Sequence, residues 1–258
     1  MRHRIRASNV GSMRAGEVRP APSQFRELAQ YYDVLNAGKD YRGESARVES
    51  IARRFVGPGR KTWLDVGCGT GRHLEWLKRH HSTMGVDASP QMLRIARRRL
   101  PDVPLIAGDM RSFRLDRRFD VISCLYSAIG HLQTKADVRR ALSTFEQHLR
   151  PGGLAIVEPW IERSEFHPGF LHLSTHRDLA ITAVRVAYSR VRRNHSIVEY
   201  HYLIGHPGRG VRYLKVSDVG LLLAQRELTQ LMREAGLTPR FISQGLTPGR
   251  GLLLGIKT

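Results

Sequence analysis

The feature that most constrains this chain is an alternation between residues 62 and 159. Five short, almost wholly apolar runs (TWLDVG, STMGVD, VPLIAGD, FDVISCLY and GLAIVEP) are interleaved with stretches at helical spacing, among them RHLEWLKRH, SPQMLRIARRRL and KADVRRALSTFEQHL. Strands apolar on both faces must be covered on both sides, and helices between them provide the crossovers that parallel pairing requires. The pattern therefore predicts an α/β fold built on a doubly wound parallel sheet. No repeat of fixed period accompanies it.

The flanks refine this reading. Phe25, Leu28, Ala29, Tyr32 and Leu35 form one helical stripe, and Val48, Ile51, Ala52 and Phe55 form a second, with AGKDY between them and Gly57-Pro58-Gly59 as the stop. From 161 to 219 the period shortens to two. ITAVRVAYSRV, SIVEYHYLI and GVRYLKV, with turn signals at Arg193-Asn194-His195 and His206-Pro207-Gly208, read as a three-stranded antiparallel meander inserted after the fifth strand. A last helix over about Gln225–Ala235 ends at Gly236. PRFISQG and GLLLGIK then close the chain as two strands joined by the LTPGRG turn. The expected architecture is a Rossmann-like sheet of seven strands with a small antiparallel β insertion.

Composition narrows the setting. A chain of 258 residues with 41% hydrophobic positions can bury one large core, or one core and an appendage. No run approaches the ~20 apolar residues of a membrane span, and the N-terminus lacks the apolar centre of a secretory signal. Cys68 and Cys124 are too few for a disulfide framework and sit in apolar runs, which suits packing in a reducing cytoplasm. With 42 basic against 23 acidic residues the net charge is +19. Such a field favours anionic partners, or is a compositional habit spread along the chain. No run is both dense in charge and interleaved with aromatics, which argues against a nucleic-acid platform. Residues 1–22 read as a disordered basic tail, with Met13 as an alternative start and a mitochondrial-type leader as a further option.

The chemistry centres on Asp65-Val-Gly67-Cys-Gly69-Thr-Gly71, directly after the first strand. This is not the G-x-G-x-x-G of a dinucleotide loop, nor the G-x-x-x-x-G-K-[ST] of a triphosphate loop. The ligand must approach bare backbone without needing a diphosphate cradle, as S-adenosylmethionine does. Asp65 would face the ligand's ammonium side. Asp87 ends the second strand, where it can accept from both ribose hydroxyls. Asp109 ends the third, where its carboxylate can take the adenine amino group while the Met110 N–H donates to a ring nitrogen. Each aspartate alone could cap a helix, but three in register with a glycine turn predict a cofactor cradle.

Other chemistries find no support. N-P-P-[YF] is absent after the fourth strand, so nucleobase and glutamine amines are disfavoured as acceptors. The histidines lack zinc spacing, no acidic cluster suggests magnesium-dependent O-methylation, and there is no G-x-S-x-G.

From about Tyr31 to the C-terminus the chain resembles the class I methyltransferases that dimethylate nucleotide-linked amino sugars in macrolide antibiotic pathways, the desosamine and mycaminose type. The matching motifs are GKDY (38–41), DVGCGTGRHL (65–74), GDMRSF (108–113), SAIGHL (127–132), LRPGG (149–153), VEPW (157–160) and GRG (249–251). The glycine motif and LRPGG are general to class I enzymes, whereas SAIGHL, VEPW and GRG are more discriminating. Ala128 stands where those enzymes often have serine. The resemblance implies methyl transfer to the amine of a sugar on thymidine diphosphate, and a homodimer supported by the insertion. The corresponding organisation is a cofactor-binding core with a helical lid (23–160), the insertion (161–219) and the rest of the core (220–258).

The expected cofactor contacts are Tyr32 and Tyr41 on the lid, Asp65, Gly67, Cys68, Gly69 and Gly71, then Asp87, Ala88, Asp109, Met110 and Leu125. Tyr126, Ser127, His131, Trp160 and Arg250 are expected at the substrate. A sugar ammonium must lose a proton before it can attack. His131, on the rim after the fourth strand, either accepts that proton or only holds the sugar or a phosphate. Glu158 either orients or deprotonates the amine, or pairs with an arginine. Arg250, between glycines, can clamp a phosphate oxygen. No metal is expected. The other readings are N- or O-methylation of another small natural product, an RNA-binding methyltransferase and a catalytically silent cofactor-binding module.

Overall fold

In the computed structural model, residues 28–247 and 249–258 are described. The basic tail and Phe25 of the first stripe lie outside them. The expected first helix is a 3-10 turn, Ala29–Tyr31, running into the short α1, Tyr32–Leu35. The second stripe is α2, Tyr41–Val56, capped by Asp40, whose side chain accepts the Gly43 N–H, and stopped by Gly57 at φ +78°.

Strand and helix then alternate: β1 (Thr62–Val66), α3 (Arg72–Leu77), β2 (Ser82–Asp87), α4 (Pro90–Arg99), β3 (Leu105–Ala107), β4 (Phe119–Cys124), α5 (Lys135–His148) and β5 (Leu149–Val157). Ser89 caps α4 ahead of Pro90, and Thr134 caps α5. Four further strands follow, β6 (Leu171–Arg177), β7 (Thr182–Arg192), β8 (His195–His206) and β9 (Gly210–Leu221). The chain closes with α6 (Gln225–Glu234), β10 (Leu237–Ile242) and β11 (Leu252–Lys257).

The main sheet runs β10-β11-β5-β4-β1-β2-β3, parallel except for β11, which is antiparallel to both neighbours. The strand order reverses between β1 and β4, so the crevice beyond their carboxyl ends is where such a sheet binds ligands. Both faces of the sheet are packed. Leu64, Val66, Ile122 and Val157 face one cluster with Phe145 of α5, while Trp63, Val121, Leu154 and Ile156 face the other with Val48 and Ala52 of α2. Each large side chain buried in this way contributes about 1.5–3 kcal/mol.

The insertion differs from expectation in having four strands, β6-β7-β8-β9, all antiparallel. The extra strand is LHLSTHR, whose alternate positions His172, Ser174 and His176 are polar and so hide a period-two apolar pattern. On the inner face, Ala183, Tyr202, Ile204 and Leu214 pack with Leu28 and Tyr31, which seats the lid segment beneath the second sheet. Among the described residues no helix is long and apolar enough to cross a membrane.

Candidate active site

The glycine loop is shaped by left-handed backbone. Gly67, Gly69 and Gly71 have φ of +73°, +54° and +79°, values that favour glycine. The Gly67 and Cys68 N–H groups both donate to the Val86 carbonyl, and that of Gly71 to Cys68. Gly69 donates to Asp87 at 2.8 Å. The N–H groups of Gly67, Cys68, Gly69 and Gly71 are thus engaged within the protein, and the glycines offer bare surface to a ligand. A Cβ on Gly69 would meet no protein atom within 4 Å, whereas one on Gly67 would lie 2.7 Å from the Ala128 Cβ.

Three strand-end carboxylates line up as expected, and each is held. Asp65 is buried and accepts from the Ser123 hydroxyl, its register partner on β4, at 2.7 Å. Burial pushes its pKa up to about 6, against the pull of His73 and Ser123. Asp87 accepts from the Ser89 N–H at 2.7 Å through its other oxygen, and burial raises its pKa too. Asp109 is gripped by the Arg111 guanidinium, which also reaches Asp137 at 3.2 Å. Its carboxylate is already engaged with an arginine, a contact the sequence reading did not foresee. The Met110 methyl lies 3.8 Å from the Cβ position of Gly67 and packs on the core. Cys68 and Leu125 send their side chains into the core, so only their backbone can reach a ligand, while Ala88 is exposed just past Asp87.

The lid end of the cradle carries orphaned polar atoms. The Tyr41 hydroxyl and Arg72 Nε are buried without a hydrogen-bond partner, and the Arg72 guanidinium sits 5.2 Å from the Tyr41 ring centroid. Unsatisfied buried donors of this kind mark a place for a polar ligand. Together with the open side of Gly69 they fit the carboxylate end of an amino acid moiety. Asp33 ties the lid to the loop, accepting from the Thr70 hydroxyl at 2.7 Å and from Arg99.

Beside the loop a cleft of about 510 Å³ opens between the core and the second sheet, lined by Tyr32, Tyr126, Ser127, His131, Trp160 and Arg250 among others. Tyr126 and Ser127 adopt φ of +50° and +57°, a strained pair for non-glycine residues. Glu158 stabilises them from behind. It is fully buried, one oxygen accepting the Tyr126 N–H at 2.6 Å and the other the Thr247 hydroxyl at 2.7 Å. This corrects both sequence readings of Glu158: its carboxylate is engaged by neither an arginine nor the cleft, because the strand end turns it into the wall.

Three discriminating motifs interlock here. The Ser127 hydroxyl donates to the Pro159 carbonyl and accepts from Arg250, each at 2.8 Å. The Arg250 guanidinium lies 4.8 Å from the Trp160 ring centroid. Trp160 donates to Ser196 at 2.8 Å and is wedged so tightly that a Cβ on Gly130 or Gly220 would come within 2.7 or 2.6 Å of it.

His131 Nδ1 is 3.1 Å from Asp218 Oδ1 on β9. Burial lowers the imidazole pKa, but the Asp218 carboxylate, with Asp87 further off, outweighs it and leaves the pKa raised. Asp218 was missed by sequence reasoning; the only signal was a lone acid in the alternating KVSDV. Tyr32 shares this electrostatic neighbourhood: burial, then Tyr126, Tyr41 and Asp87, raise its pKa well above the ordinary phenol range.

The methyltransferase domain family matches residues 64–153. The dTDP-3-amino-3,6-dideoxy-alpha-D-glucopyranose N,N-dimethyltransferase of Streptomyces fradiae is 38% identical over 240 residues, 92% of this chain and 93% of that one. A dTDP-3-amino-3,4,6-trideoxy-alpha-D-glucopyranose N,N-dimethyltransferase of Streptomyces venezuelae is also 38% identical, over 88% of this chain and 97% of its own. The chain belongs to this sugar N,N-dimethyltransferase family. Among solved structures, Streptomyces venezuelae DesVI superposes with a TM-score of 0.84 at 34% identity, covering 90% of this chain and 98% of that chain. The S-adenosylmethionine-bound CalS10, an amino pentose methyltransferase from Micromonospora echinaspora, gives 0.80 at 32%, covering 94% and 100%. The protein is therefore an S-adenosylmethionine-dependent methyltransferase with the class I fold. Among the described residues no group of three or more metal-ligating side chains is found.

Proposed function

We propose that this methyltransferase alkylates the amine of a deoxyamino sugar carried on thymidine diphosphate. The observation that carries the proposal is the juxtaposition of two unlike sites at His131: a cofactor cradle with acids at three strand ends, and a separate cleft with an arginine and aromatic walls. The S. fradiae and S. venezuelae relatives act on such sugars.

The bound cofactor supplies an electrophilic methyl on a sulfonium, and the protein's task is to present a neutral amine in line with it. Asp87 holds the ribose side and Asp65 the ammonium side of the cofactor. Tyr32, on the lid, sits between the cradle and the cleft. Its hydroxyl, protonated near neutral pH as any phenol is, can donate or accept at the amine. His131, held at Nδ1 by Asp218, is placed on the cleft wall to take the substrate proton. Asp218 fixes the ring's tautomer and favours its charged form once the proton has arrived. Glu158 is a positioning residue that holds Tyr126 and Ser127. Arg250 is placed for a phosphate oxygen.

The outer face of the second sheet supports a homodimer. Leu171, Leu173, Tyr188, Leu203, Val211 and Tyr213 lie there with 37–71% of their surface open, an apolar patch of the kind that marks association sites. Two unpaired buried thiols, Cys68 and Cys124, suit a cytoplasmic enzyme, and a dimethylated sugar nucleotide suits antibiotic glycosylation.

The test is incubation with labelled S-adenosylmethionine and a panel of thymidine diphosphate amino sugars, read by mass spectrometry. Products heavier by one or two methyl groups are expected, with none from Asp87→Ala, which loses the cofactor. Methylation of other amines or hydroxyls, with the sugar nucleotides untouched, would overturn the proposal.

A further inference from the structure

β7 alternates, so that Ala183, Arg185, Ala187 and Ser189 point to the inner side of the second sheet. Arg185 is paired in register with Tyr202 on β8 and with Ser174 on β6. It lines the cleft that also holds His131 and Arg250. Its side chain is already oriented: Nε donates to Ser174 Oγ at 2.9 Å, and its guanidinium carbon is 5.6 Å from the Tyr200 ring centroid.

What Arg185 lacks among the described residues is a carboxylate. Asp218, on the same sheet face, is bonded to His131. A half-buried guanidinium with only neutral neighbours carries a desolvation cost that an incoming anion removes. Arg250 approaches from the opposite wall, anchored on Ser127 and Trp160. Both arginines line the cleft together with Tyr126. Burial raises the pKa of that phenol, while first Arg185 and then Arg250 pull it back.

We propose that Arg185 is the second arm of a diphosphate clamp, facing Arg250 across the cleft, so that the inserted sheet and the core together select nucleotide-linked sugars. A guanidinium fork matches phosphate oxygens in a plane, and two forks from opposite walls suit two linked phosphates better than one. This rests on the nucleotide-sugar reading above. It adds a task for the insertion, whose inner face supplies one arm of the clamp as well as Asp218.

The experiment is calorimetric titration of the full-length protein with thymidine diphosphate and, separately, with thymidine. Wild type is compared with Arg185→Gln and with Arg185→Lys, which retains charge but not the fork. The expected result is a loss of thymidine diphosphate affinity of about 10- to 100-fold in Arg185→Gln, a smaller loss in Arg185→Lys, and unchanged affinity for thymidine and for S-adenosylmethionine. Retained cofactor affinity shows that the variants are folded. In turnover, KM for the sugar nucleotide should rise by a similar factor. Equal thymidine diphosphate binding by wild type and Arg185→Gln overturns the clamp alone, as does a parallel loss of thymidine binding. A wild-type protein that binds no thymidine diphosphate overturns the nucleotide-sugar reading, and the clamp with it.

Discussion

At the scale of single residues, His131 is where the second sheet reaches the cofactor-binding core. Its raised pKa follows from Asp218, 3.1 Å away. A base must be neutral to accept a proton, so kcat/KM should climb with pH through a pKa raised above the ordinary imidazole range. Asp218→Asn removes the carboxylate that favours the imidazolium, so this acid limb should move to lower pH while the plateau falls about tenfold or more. A pH–rate profile of the variant checks both. A limb that stays in place would mean that another group titrates there. His131→Ala that recovers full turnover at high pH would assign His131 to positioning. Asp65, Asp87 and Asp109 were legible because each ends an apolar run. Asp218 was not, because only the folded sheet brings residue 218 to residue 131. The position of Glu158 was legible and its direction was not, since a strand end does not say whether a side chain enters the cleft or the wall behind it.

Among the elements, the loop between β1 and α3 carries the most information per residue. Gly71 has φ +79°, and a Cβ there would lie 2.6 Å from Leu100 Cδ1, whereas around Gly69 the space is open. Gly71→Ala should cost about 1–3 kcal/mol of stability, read as a lowered urea midpoint. Gly69→Ala should cost less stability but weaken S-adenosylmethionine binding, because its methyl group projects into the ligand's side. If the two variants lose stability equally and keep equal cofactor affinity, the loop is only a turn. The parallel strands could be read from their apolar runs. β6 could not, since His172, which lines the cleft, and Ser174, which holds Arg185, stand where a core strand would carry valine. The lid was legible as an apolar stripe, but not as the short, broken piece seen over residues 29–35.

For the whole molecule, the inserted sheet has two faces with different duties. Its inner face carries Asp218, Arg185 and the tyrosines of the cleft. Its outer face carries an open apolar patch beside the Arg190–Glu199–Lys215 ion pairs, and a second copy of the chain is the proposed cover. Leu173→Asp combined with Tyr213→Lys should convert a dimer into a monomer in analytical ultracentrifugation, with the cofactor-binding core left intact. Wild-type protein that sediments as a monomer would remove the dimer from the account. The high basic charge, ambiguous in the sequence, gains a local meaning in the cleft. Arg185 and Arg250 stand there beside His131, while much of the remaining arginine lies on exposed helix surface. In the proposed reaction, cradle and cleft meet at His131 to hold one amine before one methyl. A crystal structure with S-adenosylhomocysteine and a thymidine diphosphate amino sugar tests it most directly. The sugar nitrogen should lie within hydrogen-bonding reach of His131 and face the cofactor sulfur, with the diphosphate at Arg250. A sugar bound elsewhere, or an amine turned away from the sulfur with His131 out of reach, would contradict it.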